Sequence, residues 1–139
     1  VPMDLGHPGS VADLAHQTAR LDIGLVVAAA GFGSIGPFLD QPLDQEADML
    51  AVNAAAVLRI AHVFGHRLRL RGRGGLVVFG SVVGFQGTPL SANYAATKAY
   101  VQSLAEALAI EWKDHGLDVL SCAPGPVATG FAARAGMAM

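Results

Sequence analysis

GLVVFGSVVGFQGTPLSANYAATK, residues 75–98, passes from an unbroken apolar run through a loop into a helical pattern. Leu76 to Phe79 carries four apolar residues in succession, the signature of a strand buried on both faces. Gly84, Gly87 and Pro89 mark the loop that follows. From about Ser91 the pattern is helical as far as His115, where Gly116 supplies a stop. Tyr94 and Lys98, the latter one of only two lysines, lie one turn apart on that helix and share a face. A free phenol titrates near pH ~10, so acid/base work near neutrality needs about 1.4 kcal/mol of phenolate stabilisation per unit of downward shift. An ammonium one turn away is expected to supply it. Ser81 closes the strand-like run 13 positions before Tyr94, which places a hydroxyl beside the phenol.

Outward from this stretch the same alternation repeats. Residues 10–20 read as a short helix with Ser10 as N-cap and Val11, Leu14 and Ala15 on its apolar face. Leu25 to Ala30 reads as a strand, ended by the glycine-rich turn Gly31 to Gly36. Leu43 to Leu70 carries a strong helical pattern, with Met49, Leu50, Val52, Val57, Ile60, Ala61, Phe64 and Leu68 as a broad apolar surface stopped by Gly72, Gly74 and Gly75. Asp118 to Ala123 reads as a third strand. Apolar strands separated by long helices predict an α/β doubly wound parallel sheet, Rossmann-like, covered on both faces. Ligands in such sheets bind beyond the carboxyl ends of the strands, where Gly31, Ser81 and Pro124-Gly125 all fall.

With 139 residues, 53% hydrophobic and 14% charged, the chain reads as a single globular domain over 1–139. A net charge of −2 gives no footprint for a polyanion, so nucleic acid is not expected as a partner. The lone Cys122 cannot form an internal disulfide and reads as a small buried residue in a reducing compartment, making a cytoplasmic location the expectation. Asn53, Arg59 and His62 interrupt the longest apolar stretch, so no membrane span is expected. His62 and His66 lie a turn apart without an intervening carboxylate and read as helix surface rather than as metal ligands. Arg67, Arg69, Arg71 and Arg73 cluster where they would oppose the negative end of a helix dipole.

The ordered set of these pieces resembles the short-chain dehydrogenase/reductase family over essentially the whole chain. Asp4-Leu5 is similar to that family's acidic-apolar pair near the adenine ring, and Ala28-Ala29-Ala30-Gly31 to its Asn-Asn-Ala-Gly turn. Asn53 stands in the place of the mid-helix catalytic asparagine, Ser81 in that of the serine, and Tyr94-Ala95-Ala96-Thr97-Lys98 matches Tyr-x-x-x-Lys. Pro124-Gly125-Pro126-Val127-Ala128-Thr129 resembles the segment along the nicotinamide. The resemblance implies NAD or NADP as cofactor and reversible hydride transfer between nicotinamide and a small-molecule alcohol or carbonyl substrate. By it, Asn53, Ser81, Tyr94 and Lys98 are the catalytic set, with Asn53 helping to hold a water near Lys98. Asp4, Leu5, Ala30, Gly31, Tyr94, Lys98, Pro124, Gly125, Val127 and Thr129 are then the cofactor contacts. It also implies a homodimer or homotetramer built on the two long helices.

Two departures stand out. Alanines replace both asparagines of the turn, which implies looser cofactor geometry or compensation elsewhere. Nothing matches the glycine-rich phosphate-binding loop, since Gly31 to Gly36 spells the motif after the wrong strand and reads instead as a turn near the substrate. The chain therefore resembles the middle and later part of a longer protein, without that family's first strands, and in isolation it is expected to bind cofactor poorly. The end of the chain at Met139 falls in what resembles a substrate-covering segment. Rival expectations are a non-catalytic association module on the same scaffold, and a sugar-nucleotide epimerase or dehydratase relative.

Overall fold

The computed structural model describes residues 1–127. Its three apolar runs become strands β1 (Leu25–Ala28), β2 (Gly74–Phe79) and β3 (Leu117–Cys122), hydrogen-bonded in that order as a wholly parallel sheet. Helices α1 (Ser10–Gln17), α2 (Leu43–Leu50), α3 (Ala56–Arg71) and α4 (Ala92–Glu111) fill the connections. The register aligns Val26 with Leu76 and Val119, and Ala28 with Val78 and Ser121. Val26, Ala28, Leu76, Val78 and Val119 pack with Val11 of α1, Val57, Ile60 and Phe64 of α3, and Val101 and Ala105 of α4. This apolar layer is the core, and its burial is the main term favouring the fold.

The alternate row of the same sheet behaves differently. Leu25 is 59%, Val27 53% and Leu120 60% exposed, so among the described residues helices cover one face of the sheet, where the sequence predicts cover on both. The doubly wound class holds for the parallel order, while β1 stops at Ala28, two residues earlier than predicted.

Local chemistry sets the element ends. Gly72 takes a left-handed φ of 71° and donates to the carbonyls of Leu68 and Arg69, which closes α3. Gly116, also left-handed, abuts it: a Cβ there would lie 2.7 Å from the Gly72 carbonyl oxygen. At α1 the predicted cap is corrected. Gly9 is the N-cap, and Ser10 is the first helical residue, its hydroxyl donating to the Asp4 carbonyl. The arginine cluster also has more specific partners than a helix dipole. Arg67 donates to the Thr18 hydroxyl and to the carbonyls of Thr18 and Leu21, and Arg71 pairs with Asp22 at 2.7 Å.

The helix predicted over 43–70 is continuous but not uniform, because a π-helical turn, Ala51–Ala55, joins α2 to α3. The whole run, Leu43–Arg71, is 29 residues with a hydropathy of 1.4 in its most apolar window, so by length and composition it is sufficient to cross a membrane, contrary to the sequence expectation. In this fold its apolar face is covered: Met49 lies against α4, and Val57, Ile60, Ala61, Phe64 and Leu68 are buried with the sheet and its neighbours, although Leu50 is exposed.

Candidate active site

The carboxyl end of β2 and the first turns of α4 meet through Ser81. Its extended backbone directs the hydroxyl to accept from the Val83 N–H at 3.4 Å, capping the short 3-10 turn Val82–Phe85. That turn rests directly on α4, since a Cβ on Gly84 would lie 2.9 Å from the Lys98 carbonyl carbon. Only glycine permits this approach. The Val82 N–H donates to the Pro124 carbonyl at 3.2 Å and so joins the loops after β2 and β3.

Tyr94 is half-buried, and its hydroxyl lies within interaction distance of the Ser81 side chain. Burial raises the phenol's pKa above the ordinary value, and the Ser81 side chain lowers it less. The predicted depression by Lys98 is thus corrected. The ammonium sits over the ring face, 5.7 Å from its centroid, and donates to the Phe79 carbonyl at 2.7 Å. Lys98 is itself buried, which lowers its pKa by desolvation.

Asn53 reaches the same place from the π-helical turn, where a widened turn aims its amide across the helix surface. It accepts from the Phe32 N–H at 3.0 Å and donates to the Phe32 carbonyl at 2.8 Å and to the Thr97 hydroxyl at 3.1 Å. The amide braces the backbone after β1 rather than standing free beside Lys98. Gly31 lies between them: a Cβ there would be 3.0 Å from Asn53 Oδ1 and 3.5 Å from Lys98 Nζ.

Further polar contacts absent from the sequence reading hold this frame. Thr97 is buried and donates to the Tyr94 carbonyl at 2.8 Å while receiving Asn53. Ser34 donates to Glu46 Oε1 at 2.6 Å, and Asn93 donates to the Glu46 carbonyl at 2.9 Å, tying the loop after β1, α2 and the start of α4 together. The Gly36 N–H donates to the Leu90 carbonyl at 2.9 Å, with Leu90 held at a φ of 64°. A glutamate in the first turn of a helix reads as solvated, and nothing in sequence distinguishes Glu46 from its exposed neighbour Asp44.

Asn53, Ser81, Tyr94, Lys98 and Gly31 therefore come together, with Pro124 alongside. Leu5, Ala30 and Val52 share an adjoining groove of about 350 Å³ along β1. Asp4 is exposed and accepts from the Gly6 N–H at 2.9 Å, while Gly125 and Val127 are open to solvent. Thr129 lies outside the described residues.

Comparison with known proteins agrees with this fold. The sequence profile described as short chain dehydrogenase matches residues 1–138. Human 17-beta-hydroxysteroid dehydrogenase type 1 is 31% identical over 129 residues, 93% of this chain and 39% of that protein. A very-long-chain 3-oxoacyl-CoA reductase of Neurospora crassa is 34% identical over 108 residues, 76% of this chain and 32% of its own length. A short-chain dehydrogenase from Sphingobium yanoikuyae, solved with NADPH, superimposes with a TM-score of 0.91 at 30% identity, covering 98% of this chain and 54% of the other. The chain spans about half the length of these proteins or less.

Proposed function

The chain belongs to the short chain dehydrogenase family, and from that premise we propose that the protein carrying it interconverts a hydroxyl and a carbonyl with NAD or NADP. The observation that carries this reading is the Ser81–Tyr94 hydroxyl pair, set beside a buried Lys98 and the bare backbone of Gly31. The residues fit the nicotinamide-riboside part of such a cofactor. Lys98 has two N–H donors beyond the one held by Phe79, and the missing Cβ of Gly31 leaves room beside them. We assign ribose contacts to Tyr94, Lys98 and Gly31, the adenine side to Asp4, Leu5 and Ala30, and the nicotinamide side to Pro124, Gly125, Val127 and Thr129. When bound, the cofactor supplies or takes up the hydride.

The chain's own residues manage the proton. Because burial raises the Tyr94 pKa, the phenol is protonated at neutral pH and donates to the carbonyl oxygen during reduction. Ser81 donates a hydrogen bond to the same oxygen as negative charge develops there. Lys98, fixed by Phe79 over the ring face, directs its remaining N–H donors toward the ribose that would lie beside Tyr94. Asn53 acts in this reading by fixing the Phe32 backbone and Thr97 around Lys98.

We also read residues 1–139 as one domain of a cytoplasmic homodimer or homotetramer acting on a small molecule, without nucleic-acid or membrane partners. Exposed Leu58, Tyr100 and Ile110 beside a groove of about 300 Å³ lined by residues of α3 and α4 support assembly through those helices. The hydroxyl pair favours an enzyme over an association module on the same scaffold. In the full-length protein, Tyr94→Phe should lower NAD(P)H oxidation against a carbonyl panel by about 10²–10⁴-fold. Unaltered turnover in that variant would refute the assignment. Alcohol oxidation by the parent should climb with pH toward and beyond the ordinary phenol value of 10.0, since the reverse reaction needs the ionised form.

A further inference from the structure

We infer that the site takes a neutral, bulky apolar ketone or its secondary alcohol, and that Val82, Phe85 and Leu90 set this preference; the inference rests on the reading just given. The family alone does not dictate substrate polarity. The loops around the hydroxyl pair carry stronger information. Residues 82–93, which join Ser81 to Tyr94, contain no charged side chain, and neither do residues 29–37 after β1. Large apolar side chains are nevertheless exposed there: Phe85 at 64%, Leu90 at 55%, Val82 at 48% and Ile35 at 41%. These side chains sit on the two loops that frame the half-buried phenol, where the body of an apolar ligand would cover them, and no charged group on either loop competes for that position.

The rim is also fixed in place. Gly84 seats the Val82–Phe85 turn against the Lys98 backbone. Gly36 donates to the Leu90 carbonyl, and the Ser91 hydroxyl donates to the Ser34 carbonyl at 3.3 Å, joining the two loops. Leu90 keeps a left-handed backbone that a leucine adopts only when its surroundings impose it. A pre-formed apolar rim binds an apolar body without the cost of ordering side chains.

Charge argues in the same direction. Among the described residues of this rim, Lys98 is the cation at hand, and it is held by the Phe79 carbonyl. Glu46 is buried against Ser34, so it offers no open carboxylate to a cation. Asp40 and Asp44, which follow the loop, are exposed and acidic, and they oppose an anionic substrate.

The test uses the full-length protein with whichever reduced nicotinamide cofactor it turns over. kcat/KM is measured for 1-decalone, for a decalone bearing a carboxylate, and for cyclopentanone, in the parent, Phe85→Ala and Phe85→Arg, with calorimetric Kd values for the two decalones. The expected result is a preference of about tenfold or more for the neutral decalone in the parent. Phe85→Ala should lower decalone turnover at least about tenfold further than cyclopentanone turnover, and Phe85→Arg should narrow the gap between neutral and carboxylated ketones. Equal or better turnover and binding of the carboxylated ketone by the parent would overturn the inference and leave the oxidoreductase reading standing. Absence of turnover on every carbonyl, with the parent no better than Tyr94→Phe, would overturn that reading and this inference with it.

Discussion

Lys98 is 6% exposed and carries its ammonium into the interior against one backbone carbonyl. Its lowered pKa means that the fold favours the neutral amine. The amine's contribution to stability is therefore fully present above the unfolded value of 10.5 and is lost as pH falls through the lowered folded value. Lys98→Met should raise the melting temperature at neutral pH, and the gain should shrink as pH climbs toward 10.5, while turnover falls. Scanning calorimetry across that range checks it, and a gain that grows with pH would contradict the assignment. Spacing alone was sufficient to place Tyr94 and Lys98 on one face. It was not sufficient for the direction of the Tyr94 shift, because that depends on how deeply the phenol is buried and on whether the ammonium meets the ring or the oxygen.

Among elements, the π-helical turn has the largest influence on the site. Asn53 satisfies both backbone groups of Phe32 and reaches Thr97, so Asn53→Ala leaves several buried polar groups without partners. A loss of about 2–3 kcal/mol is expected, read as a lower urea midpoint with an unchanged m-value. An unaltered midpoint would show that the loop after β1 is held by other contacts. The helix periods were legible because apolar residues at 57, 60, 61, 64 and 68 recur as a buried face must. The widened turn was not, since Ala51-Val52-Asn53-Ala54-Ala55 has no residue that distinguishes it from an ordinary α-helical turn. Ser10 misled for a related reason: a serine before an apolar run fits a cap, yet here its hydroxyl serves the Asp4 carbonyl.

At the scale of the molecule, the convergence of three loops on one rim was readable from where each apolar run ends. The exposure of the second sheet face was not, because each strand is apolar on both sides whatever lies against it. Leu25, Val27 and Leu120 on that face, and a β1 paired only with β2 among the described residues, offer both apolar surface and free backbone groups for self-association. Val27→Lys should reduce light scattering by the 139-residue chain at equal concentration, and unchanged scattering would point to another surface. The π-helical turn has a consequence at this scale too. A π turn carries one residue more than the α-helix it interrupts, so losing a single codon within 51–55 would leave a regular helix whose two halves still present their apolar sides to α4 and to the sheet. That shortened protein should retain its circular dichroism spectrum and cooperative melting, yet be catalytically silent. Here a reading frame one amino acid shorter separates the capacity to fold from the capacity to react.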